Sequence, residues 1–180
     1  EALVQRIAEA LRQALGERGR ALLLVSGGRS PVALFERLAR EPLPWKQVLV
    51  SLVDERWVAP SHPDSNEALV RRHLLQGPAV EACFVSLYQP AASHAQAADL
   101  AEARLAGLPP ADVLLLQVSK PDAAGRHSLG LVREYLPAVL AKARVVIAEV
   151  NPSIPWTHGG PYLQAGDFAL LVDAEQLDDR

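Results

Sequence analysis

The chain has 180 residues, with 18 Lys and Arg against 21 Asp and Glu, a formal charge of -3 and a pI near 6.0. That balance offers no general basic field and argues against nucleic acid as a partner. Hydrophobic residues make up 49% of the chain, enough for the core of one ordinary domain spanning residues 1–180, and no apolar run approaches the roughly 20 residues that cross a bilayer.

The single Cys83 cannot close an intramolecular disulfide, and its Cys83-Phe84-Val85 setting reads as a small core residue in a reducing, cytoplasmic protein. No Cys and His spacing suits a metal, and no motif calls for a cofactor.

Val4, Ile7, Ala8, Leu11 and Leu15 recur at helical spacing and predict a first helix that Gly16 or Gly19 closes. Ala21 to Ser26 is an apolar run that breaks at Gly27 and Gly28, so it reads as a buried strand. Ser30 followed by Pro31 predicts an N-cap and a first helical residue for a segment reaching Arg40. A strand, two glycines and a helix start can hold an anion, because glycine lets a ligand approach the backbone and the turn leaves N–H groups unpaired.

Val48 to Val53 predicts a second strand that ends in Asp54-Glu55-Arg56-Trp57, and ligands of open α/β sheets gather beyond the carboxyl ends of strands. Asp64 or Ser65 caps the next helix, with Asn66 beside it. Cys83 to Leu87 is a short strand, and Ser93 to Leu108 is an alanine-rich helix with Ser93 as its cap. Pro109-Pro110 breaks the chain before a strand at Val113 to Val118. A polar loop follows to Ser128, then a helix over Leu131 to Ala143, a strand at Arg144 to Val150 and a last strand at Phe168 to Val172. Residues 151–166, with three prolines and three glycines, read as one long connection. This alternation predicts an α/β fold, a Rossmann-like, mostly parallel sheet with helices on both faces.

Ser26-Gly27-Gly28-Arg29-Ser30-Pro31, Asp54-Glu55-Arg56-Trp57-Val58 and Asp64-Ser65-Asn66 stand in the order and spacing of the 6-phosphogluconolactonase family, which residues 1 to 112 resemble. The resemblance implies a fold shared with glucosamine-6-phosphate deaminase, ribose-5-phosphate isomerase and the CoA transferases. It also implies metal-free hydrolysis of a phosphorylated sugar lactone. Gly27, Gly28, Arg29 and Ser30 would then lie against substrate oxygens or phosphate, with Asp54, Ser65 and Asn66 around the same pocket. Arg56 would pair with the anionic substrate.

The family's Gly-x-Asp-Gly-His-Thr-Ala-Ser segment, whose His is taken as the general base, is absent after the third long strand. His127 is the remaining candidate base, two residues after Gly125. Residues 112–163, through Gln117-Val118-Ser119, Asp122, Ser128-Leu129-Gly130 and Glu149-Val150-Asn151-Pro152, instead resemble the amino-terminal domain of the acetyl-CoA hydrolase and CoA-transferase family. The expectation is a chimeric or engineered chain joined near 109–112, with a partial sugar-phosphate site and weak or no turnover. An active lactonase and a CoA-binding fragment are the alternatives.

Overall fold

The computed structural model describes residues 2–130 and 136–173. Six parallel strands form one sheet in the order β3-β2-β1-β4-β6-β8, where β1 is Ala21–Val25, β2 Val48–Leu52, β3 Cys83–Val85, β4 Val113–Val118, β6 Val145–Val150 and β8 Leu170–Asp173. Within the central strands, successive side chains go to opposite faces. Leu23, Val25, Val50, Val113, Leu115 and Ile147 share one core, whereas Leu22, Leu24, Leu114, Leu116, Val146 and Ala148 share the other.

The first core is covered by α1 (Ala2–Arg18), α2 (Val32–Leu38) and α3 (Asn66–His73), whose buried Ile7, Leu11, Phe35, Leu38 and Val70 form the apolar stripes. Gly19 ends α1 in the left-handed region at φ 69°, and its N–H donates to the Leu15 carbonyl at 2.8 Å. The second core is completed by Ala111, Leu129, Leu136 and Phe168. α4 (His94–Ala106) starts on Ser93, whose Oγ accepts from the Gln96 N–H, but it buries only Ala97. α5 is described over Leu136–Leu140, and the first part of the expected Leu131 to Ala143 helix lies outside the described residues.

Asp112 ties the first helix to the sheet. Its side chain is 1% exposed, and it accepts from the Leu22 N–H at 2.9 Å and from the Arg18 guanidinium, with Arg144 at 3.7 Å. Residues on both sides of 109–112 therefore share one sheet and the same two cores.

Three expectations are corrected. Cys83 is exposed, because β3 is an edge strand of three residues paired only with β2. The connection at 151–166 is not one irregular loop: Tyr162–Gln164 forms β7, antiparallel to β5 (Arg126–Ser128), in a separate two-stranded sheet. Ser30 is not the cap of α2. Pro31 takes that position without a side-chain hydrogen bond, and the Ser30 hydroxyl is used elsewhere.

Candidate functional site

β1 and β4 are neighbours, yet the chain leaves β1 toward β2 and leaves β4 toward β6. The strand order thus reverses between them, which opens a crevice at their carboxyl ends. The glycine turn lies at this crevice. Ser26 still belongs to the sheet, its N–H donating to the Leu115 carbonyl at 3.0 Å. Beyond it, among the described residues, the N–H groups of Gly27, Gly28, Arg29 and Ser30 donate to no protein acceptor. Four successive unpaired donors are suited to an anionic or carbonyl oxygen.

The two glycines serve different purposes. Gly28 has φ 103°, a conformation that side chains rarely adopt. Gly27 is required for space, since a Cβ there would stand 1.9 Å from Asn66 Oδ1 and 2.1 Å from Asn66 Cγ.

That contact joins the turn to the second motif. Asn66 is 2% exposed, and its Nδ2 donates to the Asp54 carbonyl at 2.9 Å and to Asp54 Oδ2 at 3.2 Å. Its Oδ1 accepts from Arg56 Nη1 at 3.1 Å, and the same guanidinium nitrogen donates to the Asp64 carbonyl. Burial pushes the Asp54 carboxyl above its usual range, with Arg56 opposing the shift and Glu55 adding to it. Arg56 and Arg29 are both exposed, and neither forms an ion pair with a carboxylate among the described residues.

Ser65 caps α3, its Oγ accepting from the Ala68 N–H at 3.2 Å. The larger anchor is Glu55. Its Oε1 accepts from the N–H groups of Arg56 and Asn66 at 2.9 and 2.8 Å, and its Oε2 from the Glu67 N–H and the Ser65 hydroxyl at 2.8 and 3.0 Å. A carboxylate on the first N–H groups of a helix fixes the helix to the loop that carries it. Glu55 therefore orients Asn66 and Arg56.

On the opposite side of the crevice, Ser30 Oγ donates to Glu149 Oε2 at 2.9 Å. Gln117 Nε2 donates to Ser30 Oγ at 2.9 Å and to Glu149 Oε2 at 3.3 Å, and Asn151 Nδ2 donates to Gln117 Oε1 at 3.4 Å. Glu149 Oε1 is buried without a hydrogen-bond partner. Gln117 and Glu149 come from β4 and β6, and nothing in the local sequence around Ser30 announces them.

His127 does not join either group. Its ring is 3% exposed, Nδ1 donates to the Ser119 carbonyl at 2.8 Å, and Phe168 meets it edge-on at 5.9 Å between centroids. A general base must reach water and substrate, and this imidazole, part of β5 itself, is packed in the core against Phe168 with Nδ1 taken up by the Ser119 carbonyl. His127, expected as the base, thus stands outside both hydrogen-bonded groups. Among the described residues no group of three or more His, Cys, Asp or Glu side chains is placed to hold a metal ion. No described helix is long and apolar enough to cross a membrane.

Residues 1–120 match the family described as glucosamine-6-phosphate isomerases/6-phosphogluconolactonase. The chain belongs to that family. Among curated members, the 6-phosphogluconolactonase of Pseudomonas aeruginosa is 60% identical over 115 residues, which are 63% of this chain and 48% of that relative. The 6-phosphogluconolactonase of Pseudomonas putida is 46% identical over 155 residues, 85% of this chain and 63% of that relative. The chain thus spans about half to two thirds of these two relatives' length.

A match of 155 residues within 180 must run through 109–112, so the family relationship crosses the expected junction and lends no support to a chimera. Among solved structures, a 6-phosphogluconolactonase from Shewanella baltica superposes with a TM-score of 0.70 at 29% identity, over 83% of this chain and 75% of that one. A 4-hydroxybutyrate CoA-transferase from Porphyromonas gingivalis superposes at 0.50 with 20% identity, over 91% of this chain and 38% of that one. At that identity the likeness is one of fold alone.

Proposed function

We propose that this chain hydrolyses phosphorylated sugar lactones of the 6-phosphogluconolactone kind. The observation that carries the reading is the row of four unpaired N–H groups at the β1/β4 crevice, accompanied by the exposed guanidinium groups of Arg29 and Arg56, neither of which is ion-paired to a carboxylate among the described residues. Hydrolysis of a lactone needs donors for the carbonyl oxygen as it becomes an oxyanion, and a separate holder for the phosphate. The glycine turn supplies the first and the arginines supply the second, with Asn66 and Glu55 holding Arg56 in place. Membership of the family, and the activity named for the two Pseudomonas relatives, support the same reading. It replaces the expectation of weak or no turnover.

The test is hydrolysis of 6-phosphogluconolactone above its spontaneous rate, together with thermal stabilisation by 6-phosphogluconate. Product at a hundred times its Kd stabilises a native state by about 2.7 kcal/mol, a rise of about 5–10 °C at this chain length. Absence of both effects refutes the proposal, and stabilisation by CoA alone replaces it with a CoA-binding role.

A further inference from the structure

The lactonase reading lacks a base once His127 is placed in the core. Hydrolysis requires a group that takes a proton from water as its oxygen attacks the carbonyl carbon. Such a group needs a free acceptor atom beside the oxyanion donors.

Glu149 carries a free acceptor atom and is tied to Ser30, the last residue of the unpaired N–H row. Its two carboxylate oxygens stand in unlike surroundings. Oε2 accepts from Ser30 Oγ and Gln117 Nε2, so the side chain is held against the glycine turn. Oε1 accepts from nothing and is buried. A buried polar atom without a partner costs about 1–3 kcal/mol, more for a charged group, and is rare enough in native proteins to call for a cause. Glu149 also lines a small cavity of about 30 Å³, together with Ser26, Pro31, Phe35, Leu115 and Ile147. That volume is enough for one water molecule, and Glu149 and Ser26 are the polar residues in otherwise apolar walls. Ser26 immediately precedes the four unpaired N–H groups.

We infer that Glu149 is the catalytic base of this site and that the cavity beside it seats the attacking water. The inference rests on the lactonase reading. The carbonyl oxygen of the lactone lies on the N–H groups of Gly27 and Gly28. Water forms a bond from its oxygen to the carbonyl carbon and gives a proton to Glu149. The tetrahedral oxyanion collapses and breaks the bond between that carbon and the ring oxygen. The ring oxygen leaves with the proton held by Glu149, and the open-chain hydroxy acid is released. Ser30 and Gln117 are positioning residues that aim the carboxylate and leave Oε1 free.

The experiment compares wild type with Glu149→Gln in three measurements: kcat and KM for 6-phosphogluconolactone, their pH dependence, and binding of 6-phosphogluconate. The expected result is a kcat lowered about a hundredfold or more, with product still bound and the acidic limb of the pH–rate profile gone. Glu149→Asp keeps the charge but withdraws it by one methylene, and it also loses about a hundredfold. This second variant serves if Glu149→Gln does not fold. Unchanged kcat in a folded Glu149→Gln overturns the assignment and leaves the lactonase reading standing. So does loss of the acidic limb in Asp54→Asn together with its survival in Glu149→Gln. A wild type that binds product without turning over substrate also overturns it, because base, water and oxyanion donors would then be present without chemistry. A wild type that neither binds nor hydrolyses refutes the lactonase reading and this assignment with it.

Discussion

Replacing Gly27 with Ala tests the link between the glycine turn and the second motif. The added Cβ would stand 1.9 Å from Asn66 Oδ1, 2.1 Å from Cγ and 2.7 Å from Nδ2. Asn66 cannot yield cheaply, since it is 2% exposed and bonded to Asp54 and Arg56. Displacing it leaves a buried amide unsatisfied at about 1–3 kcal/mol, and overpacking adds about 1–3 kcal/mol. The sum is about 2–6 kcal/mol, or about 8–16 °C in Tm for a central value near 4 kcal/mol at this chain length.

Gly28→Ala acts through backbone strain at φ 103°, with the nearest side-chain atom, Gln117 Nε2, at 3.4 Å. Its cost is about 1–2 kcal/mol. The assay is thermal and urea unfolding of both variants and of the pair Gly27→Ala with Asn66→Gly, which removes the clash. Gly27→Ala is expected to be the more damaging single change and to cost much less in the Asn66→Gly background, a coupling that a double-mutant cycle reads directly. Additive effects, or a Gly28→Ala that costs more, would refute the argument from space.

Asp54→Asn tests the buried carboxyl. Burial raises its folded pKa above the ordinary 3.8, so its favourable contribution is present below 3.8 and is lost as pH rises through the folded value. The Asn variant is therefore expected to gain on wild type at pH 7 and to lose that gain in acid, which Tm against pH will show. Glu17 has the opposite sign: hydrogen bonds from Arg144 and then Gln13 hold its pKa at about 2, so its contribution disappears as pH falls from 4.5 toward 2. A Glu17→Gln variant should lose that part of the acid dependence, and added salt should weaken it. Asp112→Ala leaves the Leu22 N–H without its acceptor and Arg18 without its partner, for a loss of about 3 kcal/mol in urea unfolding. Arg56→Ala should weaken 6-phosphogluconate binding about ten- to a hundredfold by calorimetry, the value of one charge-assisted contact.

The fold was legible because its signals are local and repeated. The apolar spacing of Val4 to Leu15, the β-branched run at Val48 to Val53 and the hydroxyl caps Ser65 and Ser93 each depend on residues within a turn or two. The errors fell where a distant residue decides. Pro31 after Ser30 is a sound helix-start signal, but Glu149 lies 119 residues away in sequence and claims the Ser30 hydroxyl. Gly27 reads as conformational freedom, whereas its cause is the Asn66 side chain. Arg126 to Ser128 is too short and polar to announce a strand, so the pairing of β5 with β7 and the burial of His127 within it carry no local signal. Glu55 carries no local mark of a cap, because the helix it anchors begins eleven residues later.

The pairing between β1 and β4 holds only three residue pairs, Leu23 with Val113 to Val25 with Leu115, against six between β4 and β6. The short ladder lies directly below the crevice, and the Ser30 bonds to Gln117 and Glu149 cross above it. The edge pair β2–β3 is equally short, but among interior strands the shortest ladder and the binding crevice coincide. A ligand held across the crevice acts as a rivet on that interior seam, and its removal weakens the sheet there under denaturant or load.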